Sequence, residues 1–518
     1  MADDKAMELT VQRPGDNSDR ETGESISSQM QTGDNDVTKR LDRYITFKPA
    51  VAFGLTILSS WEGFGLVFGA ALLNGGPTVL VWGTLIAFLG TSALALSLAE
   101  LASITPTVGA QYRWTGLYAP KAMSPAFWSL MQGWLTVFAW ISLCAAVPFV
   151  SATMVQGLII LNKDDYEPQR WHGTLLMWAY ILIPVLCNIF ARKVLVIFEM
   201  IGGVMHIVFF IVQVVTLVVM APRSSASFVF TTSNFGLSGW ESEGVQWCIG
   251  LLSIVSVLTG FDGVLHLSDE VKDAPRKVPR SMIWAVVINS VMALAFMICV
   301  LFCIGDVNAA VTSPTGYPII EIYYQATKSK AAATVLTCTL LIPTMISIFG
   351  IMASVSRLAW AFARDKGLPF SEFFAYVHPT LRIPLNALFL VASVSALLGL
   401  INIGSTAAFY AILSLSALGL YLSYIIPIIF VLIRKFEGKH PPYGPFSLGQ
   451  WGIPINIFAL CWGIFMIIWL PFPATQPVTG VSMNYAGPIM IFVLFLALVD
   501  WFISGHKRFQ VPTGKIDF

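Results

Sequence analysis

The chain has 518 residues, of which 56% are hydrophobic and 11% are charged, and its formal net charge is +1. Soluble proteins carry roughly 25% charged residues, so this composition is typical of a protein embedded in lipid. A net charge so close to zero provides no basic surface for nucleic acid, and we expect no nucleic-acid partner.

The N-terminal region differs from the rest of the chain. Residues 1 to about 38 are polar and rich in Ser, Asp, Thr and Gly, and such a segment has too little apolar surface to fold alone. We therefore predict a disordered cytoplasmic tail and juxtamembrane segment over 1–50, a membrane domain over 51–504 and a cytoplasmic C-terminal tail over 505–518.

Apolar runs of about 20 residues, each long enough to cross a hydrocarbon core of about 30 Å, recur after residue 50. They predict an all-α integral membrane fold with about twelve transmembrane helices. The run from 122 to 162 is about twice the required length, and we predict one long tilted helix followed by an interfacial segment. The predicted spans are 51–74, 79–103, 125–155, 173–191, 194–221, 242–267, 282–305, 332–358, 383–402, 406–433, 452–472 and 485–504.

Lysine and arginine are distributed unequally between the two sides of these spans. When the N terminus is placed in the cytoplasm, most of the 30 basic residues fall on the cytoplasmic side. The positive-inside rule states that the cytoplasmic loops of a membrane protein carry an excess of lysine and arginine, so this orientation agrees with the rule. We therefore predict a multi-pass protein with both termini in the cytoplasm. The plasma membrane is the expected location, and the vacuolar membrane is the alternative. The opposite loops hold Lys163, Arg170, Arg223, Lys328 and Lys330.

The seven cysteines all lie inside apolar runs. Buried cysteine usually acts as a small apolar residue, and no pair shows metal-ligand spacing. We predict no disulfide framework, no metal site and no cofactor. The sequence also lacks the HExxH and GxSxG motifs of membrane-embedded hydrolases, so we do not expect an enzyme.

The first predicted span contains residues that weaken a helix. Ser59, Ser60, Gly63 and Gly65 lie in the middle of an otherwise apolar run, together with Glu62. An acidic residue at the centre of a transmembrane helix costs roughly 2.5–3.5 kcal/mol, so it should face a cavity or a partner, or stay protonated. We predict a broken helix here, and we take these residues and Trp61 as candidates for substrate binding.

The sixth span repeats this arrangement. Gly260 and Gly263 bracket Phe261 and Asp262 after a long uncharged run. Unwound backbone is tolerated at membrane depth only where it lines a cavity inside the protein. These four residues are therefore further candidates for substrate binding.

Two broken helices five spans apart suggest a transporter built from two inverted five-helix repeats, with its site between the breaks. A substrate carboxylate would meet the amides of Gly63 to Gly65, and an ammonium would meet carbonyls near Ser59 and Gly260. Small residues also allow helices to pack closely, so packing is the alternative role for the two glycines of span 1. Trp61 and Phe261 could equally be substrate contacts or core residues.

Other intramembrane polar residues are candidates for ion coupling. Glu199 and His206 in span 5 could exchange protons, since histidine titrates near neutral pH. The alternatives are a solvated helix end for Glu199 and a structural hydrogen bond for His206. The ion-coupling candidates are Glu62, Glu199, His206, Asp262 and Ser354.

Four stretches together resemble the amino acid, polyamine and organocation transporter superfamily, specifically its fungal amino acid and choline transporter branch. The resemblance covers roughly residues 40 to 505. The stretches that carry it are SSWEGFG with LLNGGP, AELASITPTVGAQYRW, GFDGVLHLSDEVKDAPRKVPRSM and SRLAWAFARDKGLP.

The resemblance implies a leucine-transporter-like fold with ten core helices in two inverted five-helix repeats, broken helices 1 and 6, two further helices and alternating access. It implies that the span 1 break, Ser60 to Gly65, binds a substrate carboxylate, and that the span 6 break, Gly260 to Gly263, supplies carbonyls and an aromatic gate. Some proton-driven relatives carry a lysine in span 5, and this chain has none between Val194 and Met220. We therefore do not expect proton coupling through a lysine in span 5.

The function expected from the sequence is a secondary active transporter for an amino acid or a related amine, most simply by proton symport. Its partners would be a small-molecule substrate, a coupling proton and the lipid bilayer. The alternatives are a permease for choline, another quaternary amine or 4-aminobutyrate, and a receptor of the same fold that binds nutrient without transporting it. Ser354 could instead contribute an oxygen ligand to a sodium site.

Overall fold

A computed structural model describes residues 43–233, 237–404, 406–480 and 482–511, without the side chains of residues 192–193 and 406–411. The predicted disorder of the N-terminal tail therefore lies mostly outside the described residues. The same holds for the C-terminal tail from 512 onward. Both remain predictions.

Twelve helical segments in this part of the chain are long and apolar enough to cross a membrane. Their number confirms the prediction from the apolar runs. We number them in chain order as spans 1 to 12: Phe47–Leu73, Gly76–Ile104, Pro125–Asn162, Arg170–Phe190, Val194–Met220, Glu243–Glu270, Ala274–Phe302, Lys330–Arg364, Leu385–Gly404, Ile412–Phe436, Gly449–Trp469 and Ala486–Arg508. Shorter helices between them are Ala110–Tyr118, Lys121–Met123, Ala226–Thr231, Val307–Val311, Pro318–Thr327 and Ser371–Phe374.

The long apolar run of span 3 forms one helix of 38 residues that contains Pro148. A single span was predicted here, and the structure confirms it. The predicted interfacial segment is part of the same helix, which continues to Asn162. At 1.5 Å per residue the helix is about 57 Å long, so it must tilt or project beyond a core of about 30 Å.

The spans divide into an inner and an outer group. Spans 3 and 6 are mostly buried within the protein, whereas spans 5 and 12 leave most of their apolar side chains exposed. Span 3 packs along span 10, and span 7 packs along span 2 and the first half of span 1. The inner helices therefore enclose the breaks, and the outer helices present the surface that suits lipid.

Span 1 is broken at Ser59, which has a φ of 38° and a ψ of 48°. Half-helix 1a, Phe47–Leu58, ends there and half-helix 1b, Ser60–Leu73, begins after it. Left-handed backbone costs a non-glycine residue about 1–3 kcal/mol, and such strain concentrates at functional sites. The predicted break is confirmed.

Span 6 is broken at Gly260, which has a φ of 103°. Half-helix 6a, Glu243–Val257, is α-helical, and half-helix 6b, Phe261–Glu270, is a 3₁₀ helix. Half-helix 6a packs against half-helix 1b. The two breaks thus lie side by side, in the arrangement predicted from the sequence.

The segment before span 1 is tied to the end of span 6. The amides of Tyr44 and Ile45 each donate to the carbonyl of Glu270 at 3.0 Å, and the amide of Lys272 donates to the carbonyl of Ile45 at 2.9 Å. Residues 45 and 271 form an isolated parallel bridge. The N-terminal end of half-helix 1a is therefore anchored to the C-terminal end of half-helix 6b.

Candidate functional site

A cavity of about 70 Å³ lies beside both breaks, between spans 1, 3, 6 and 8. Its wall is mostly apolar and includes Gly63 of half-helix 1b. No aromatic or charged side chain belongs to the wall in the part of the chain that the structure describes. The polar side chains of the wall are the hydroxyl groups of Ser59, Ser256, Thr259, Thr344 and Ser347.

The break in span 1 is held by hydrogen bonds from other spans. The amide of Ser60 donates to Oδ1 of Asn289 in span 7 at 2.9 Å, and the Ser60 hydroxyl donates to the carbonyl of Val257 at 2.6 Å. The Ser59 hydroxyl donates to the carbonyl of Thr56 at 2.5 Å. The Ser60 amide and the carbonyls of Thr56 and Val257 are thereby satisfied without water.

Two amides of half-helix 1b without a backbone acceptor precede the glycines at which the sequence predicts carboxylate binding. The amide of Gly63 donates to the carbonyl of Ser59 at 2.8 Å, so it is already part of the helix. Ser60 is bonded to Asn289. The remaining amides in the first turn of half-helix 1b are those of Trp61 and Glu62, for which the described structure contains no backbone acceptor.

The two glycines of half-helix 1b allow other helices to approach closely. A Cβ atom at Gly63 would lie 2.8 Å from Cγ1 of Val257, and one at Gly65 would lie 2.9 Å from Cδ1 of Leu340. Both contacts are shorter than a side chain tolerates. The alternative reading of these glycines as packing positions is therefore supported by geometry, while Gly63 also borders the cavity.

The break in span 6 is held by Tyr424 of span 10, which sequence reasoning missed. The amide of Gly260 donates to the Tyr424 hydroxyl at 3.1 Å, and that hydroxyl donates to Oδ1 of Asp262 at 2.6 Å. The rings of Phe261 and Tyr424 lie 4.7 Å apart. A tyrosine in an apolar run was the available signal, because an intramembrane polar group usually has a partner.

Asp262 is fully buried and surrounded by donors. Besides Tyr424, its carboxylate accepts from Nε2 of Gln111 at 2.6 Å and from Nε1 of Trp140 at 3.2 Å. Nε2 of His266 lies 3.4 Å away. Asp262 therefore serves as a hub between the span 6 break, span 3, span 10 and the helix Ala110–Tyr118, and it does not line the cavity.

Glu62 and Trp61 point away from the cavity, toward span 5. Nδ1 of His206 lies 2.7 Å from Oε1 of Glu62, and both side chains are 0% exposed. The Trp61 ring packs against Phe210 and Phe296, and its Nε1 lies 3.1 Å from the carbonyl of His206. The structure thus pairs His206 with Glu62.

Glu199 has a different partner. Its carboxylate makes a short hydrogen bond with the hydroxyl of Thr56 in half-helix 1a, and its Oε1 lies next to Gly350 of span 8. Glu199 is completely buried, so it is not the solvated helix end considered from the sequence. The predicted proton exchange between Glu199 and His206 has no support in these contacts.

Ser354 lies in span 8, and its hydroxyl donates to the carbonyl of Gly263 at 2.9 Å. This bond ties span 8 to half-helix 6b. The hydroxyl oxygen keeps a lone pair, but its hydrogen is committed to the protein. The contact makes Ser354 a link between helices in this conformation.

Buried ion pairs close the side of the molecule where half-helix 6b ends. Arg357 contacts Glu270 at 2.8 Å, and Lys435 contacts Glu100 at 2.7 Å, with all four side chains almost fully buried. Breaking such a pair leaves an unpaired charge and costs about 3–5 kcal/mol. These pairs close this end of the inner bundle by tying span 6 to span 8 and span 2 to span 10.

A further cluster lies just beyond the membrane spans. The Tyr112 hydroxyl donates to Asp365 at 2.7 Å, and Arg113 contacts the same carboxylate at 2.6 Å. Burial raises the pKa of Tyr112 well above its ordinary value, and the Asp365 charge adds to that effect. Tyr112 therefore remains a hydrogen-bond donor throughout the physiological pH range.

In the described residues, twelve spans with two adjacent breaks beside a small cavity have the architecture of a multi-pass membrane transporter. The model of the amino acid permease family matches residues 48–495, and the chain belongs to that family. The resemblance found in the sequence is thereby confirmed.

Curated relatives agree with this assignment. The chain is 30% identical to a putative amino acid/polyamine transporter of Macrophomina phaseolina over 84% of its own length and 96% of that protein. It is 31% identical to a choline transporter of Saccharomyces cerevisiae, covering 89% and 81% of the two chains. It is 29% identical to the amino-acid permease BAT1 homolog of Oryza sativa, covering 92% and 94%.

Proposed function

We propose that this protein is a secondary active transporter that moves an amino acid or a related amine by proton symport and alternating access. The observation that carries the proposal is the small cavity between two broken helices, where backbone groups of opposite polarity are released at membrane depth. Substrate sites of inverted-repeat transporters lie at such breaks.

An anionic group would bind at the start of half-helix 1b. The amides of Trp61 and Glu62 lie in its first turn, where the helix dipole is positive. Gly63 and Ser59 line the cavity at the same level. A substrate carboxylate placed there needs no positively charged side chain.

A cationic group would bind at the C-terminal ends of half-helices 1a and 6a. Half-helix 1a ends at Leu58 and half-helix 6a ends at Val257, and both residues line the cavity. The negative ends of both dipoles and the hydroxyls of Ser256 and Thr259 offer oxygen atoms to an ammonium group. Together the two ends suit a zwitterion, which includes α-amino acids and 4-aminobutyrate.

Choline is the second candidate, because one relative is a choline transporter. A quaternary ammonium group is usually held by aromatic rings, and often also by a carboxylate. The described cavity wall has neither, and Glu62 and Asp262 are engaged elsewhere. A substrate that carries a carboxylate fits the wall better.

The proposed location is the plasma membrane, with both termini in the cytoplasm, as the distribution of basic residues suggests. The closed end with the Arg357–Glu270 and Lys435–Glu100 pairs would then face the cytoplasm. Epitope tags at both termini, probed in intact and permeabilised cells, test this orientation. Detection of either tag in intact cells contradicts it.

Counterflow in proteoliposomes tests the transport activity. Proteoliposomes that contain the purified protein are loaded with an unlabelled candidate substrate. The same compound is then added outside in labelled form, for a panel of amino acids, 4-aminobutyrate, polyamines and choline, with and without an inward pH gradient. We expect exchange of an amino acid or 4-aminobutyrate, and accumulation driven by the gradient. Accumulation driven only by a sodium gradient would mean that sodium, and not the proton, is the coupling ion. Stabilisation of the protein by a panel member without exchange would indicate a receptor.

A further inference from the structure

The Glu62–His206 pair lies next to the proposed anion site without facing the cavity. Glu62 belongs to the first turn of half-helix 1b, and His206 lies in the middle of span 5. The two side chains are completely buried and 2.7 Å apart. Oε2 of Glu62 and Nε2 of His206 have no hydrogen-bond partner among the described residues.

The hydrogen bonds around the pair indicate where its protons lie. Nδ1 of His206 is close both to Glu62 and to Nε1 of Trp61, which is a donor only. The Trp61 hydrogen can instead go to the His206 carbonyl at 3.1 Å. Nδ1 then carries a hydrogen and donates it to Glu62, and the lone pair on Nε2 is left to accept one further proton.

We propose that the Glu62–His206 pair binds the coupling proton, and that it does so together with a carboxylate-bearing substrate. With neutral His206 and ionised Glu62 the pair carries one negative charge. A proton on Nε2 makes the pair neutral overall. This inference rests on the proposed proton symport and assigns its proton to particular atoms.

Electrostatic repulsion links the proton to the substrate. A substrate carboxylate at the amides of Trp61 and Glu62 lies within one helical turn of the Glu62 side chain, which is about 5.4 Å along the axis. Two negative charges at this separation in a medium of low polarity repel strongly. Protonation of the pair removes the repulsion, so substrate and proton bind together and leave together.

Further titratable groups lie on span 5 and on the helices around it. Glu199 precedes His206 by seven residues, about 10.5 Å along the helix, and it contacts Thr56. None of the remaining groups contacts Glu62 or His206 in the described structure. Among them are Tyr180 and Cys187 on span 4, Cys299 and Cys303 at the end of span 7, Tyr323 on the helix Pro318–Thr327, Cys338 on span 8, and Arg357, which is paired with Glu270.

The pair also sets a substrate preference. Choline has no carboxylate, so its binding does not depend on neutralising Glu62. Choline uptake, if it occurs, is expected to be independent of a proton on this pair. An amino acid is expected to bind more weakly without that proton.

The test uses purified wild-type protein and the variants His206→Gln and Glu199→Gln in proteoliposomes, with a labelled mixture of the protein amino acids as probe and labelled choline in parallel. Counterflow reports exchange without a gradient, and accumulation under an inward pH gradient reports coupling. His172→Gln is the matched control, because it makes the same change at a histidine bonded to Tyr166 outside the pair.

We expect His206→Gln to exchange amino acids with the weak half-saturation of the unprotonated wild type, and to lose accumulation under the pH gradient. In the wild type, the half-saturation constant for an amino acid should rise with increasing pH, by up to about tenfold per pH unit, as the uptake of one proton requires. In His206→Gln this dependence should be absent. His172→Gln and Glu199→Gln should both keep gradient-driven accumulation.

Full gradient-driven accumulation by His206→Gln overturns the inference and leaves the transporter proposal standing. Loss of coupling in Glu199→Gln alone also overturns it. If His206→Gln does not exchange at all, Glu62→Gln decides, because removing the charge should make amino-acid exchange independent of pH. If neither variant exchanges, a pH-independent half-saturation in the wild type overturns the inference. Absence of exchange by the wild type defeats the proposed function itself.

Discussion

The two breaks look alike in sequence but differ in their surroundings. Each places an acidic residue next to glycine, Glu62 in span 1 and Asp262 in span 6. Asp262 accepts hydrogen bonds from Gln111, Trp140 and Tyr424. Glu62 has His206 as its partner and keeps one oxygen unpartnered in the described structure.

The difference separates a structural carboxylate from the one to which we assign the coupling proton. A carboxylate that accepts from several donors cannot be removed without stranding those donors. A carboxylate with a single imidazole partner can gain a proton on the pair without disturbing other groups. The neighbours of an intramembrane acid therefore decide its role more than its position in a broken helix does.

The largest effect is expected for Asp262→Ala. It removes the acceptor of three buried donors, and each stranded donor costs about 1–3 kcal/mol. We expect a large loss of thermal stability and of counterflow. Thermal stability is measured as the temperature at which half of the monodisperse peak in size-exclusion chromatography is lost. Glu62→Ala is the matched change at the other break. Equal stability of the two variants would remove the distinction between the carboxylates.

Gly260→Val should abolish counterflow. The φ of 103° at Gly260 is strained for any residue with a Cβ atom, and a β-branched residue fits it worst. The strain is about 1–3 kcal/mol and acts at the cavity. Gly316→Val is the control, because Gly316 also has a positive φ, of 73°, but has open space around it. Retained exchange in Gly260→Val would mean that the break is not needed for transport.

Tyr424→Phe should have an intermediate effect. It removes the hydroxyl that accepts from Gly260 and donates to Asp262, at a cost of about 1–3 kcal/mol. We expect a lower thermal midpoint and slower counterflow. Tyr421→Phe makes the same change one turn earlier on span 10, where the hydroxyl contacts Trp462. If that control slows exchange as much, the effect belongs to span 10 in general and not to the span 6 break.

Glu62→Gln should have the smallest effect on stability. The amide oxygen can still accept from Nδ1 of His206, and no other donor is stranded. We expect a change in the free energy of unfolding below about 1 kcal/mol. Asp262→Asn, the equivalent change at the hub, should lower the thermal midpoint more. A larger loss for Glu62→Gln would show that Glu62 is also a structural carboxylate.

Much of the fold could be predicted from the sequence. The twelve spans follow from apolar runs, and the two breaks follow from Ser59 and Gly260 beside acidic residues, because both signals are local in the chain. The length of span 3 was less certain, since a proline in an apolar run can either divide or continue a transmembrane helix. The structure places Pro148 inside one continuous helix.

The site was predicted only in outline. Glu199 and His206 were linked because they share a helix, whereas the structure pairs them with Thr56 and Glu62 of span 1. Tyr424 and Asn289 were missed, since a single polar residue in an apolar run does not indicate which distant helix it meets.

The apolar runs alone predict about twelve membrane crossings, and the helix-weakening residues near Ser59 and Gly260 alone predict the breaks in spans 1 and 6. Hydrophobicity and backbone preference act over neighbouring residues, so they can be read along the chain. Only the tertiary structure decided which helices meet at the breaks. It therefore decided that Asp262 is enclosed by donors and that Glu62 faces a single histidine.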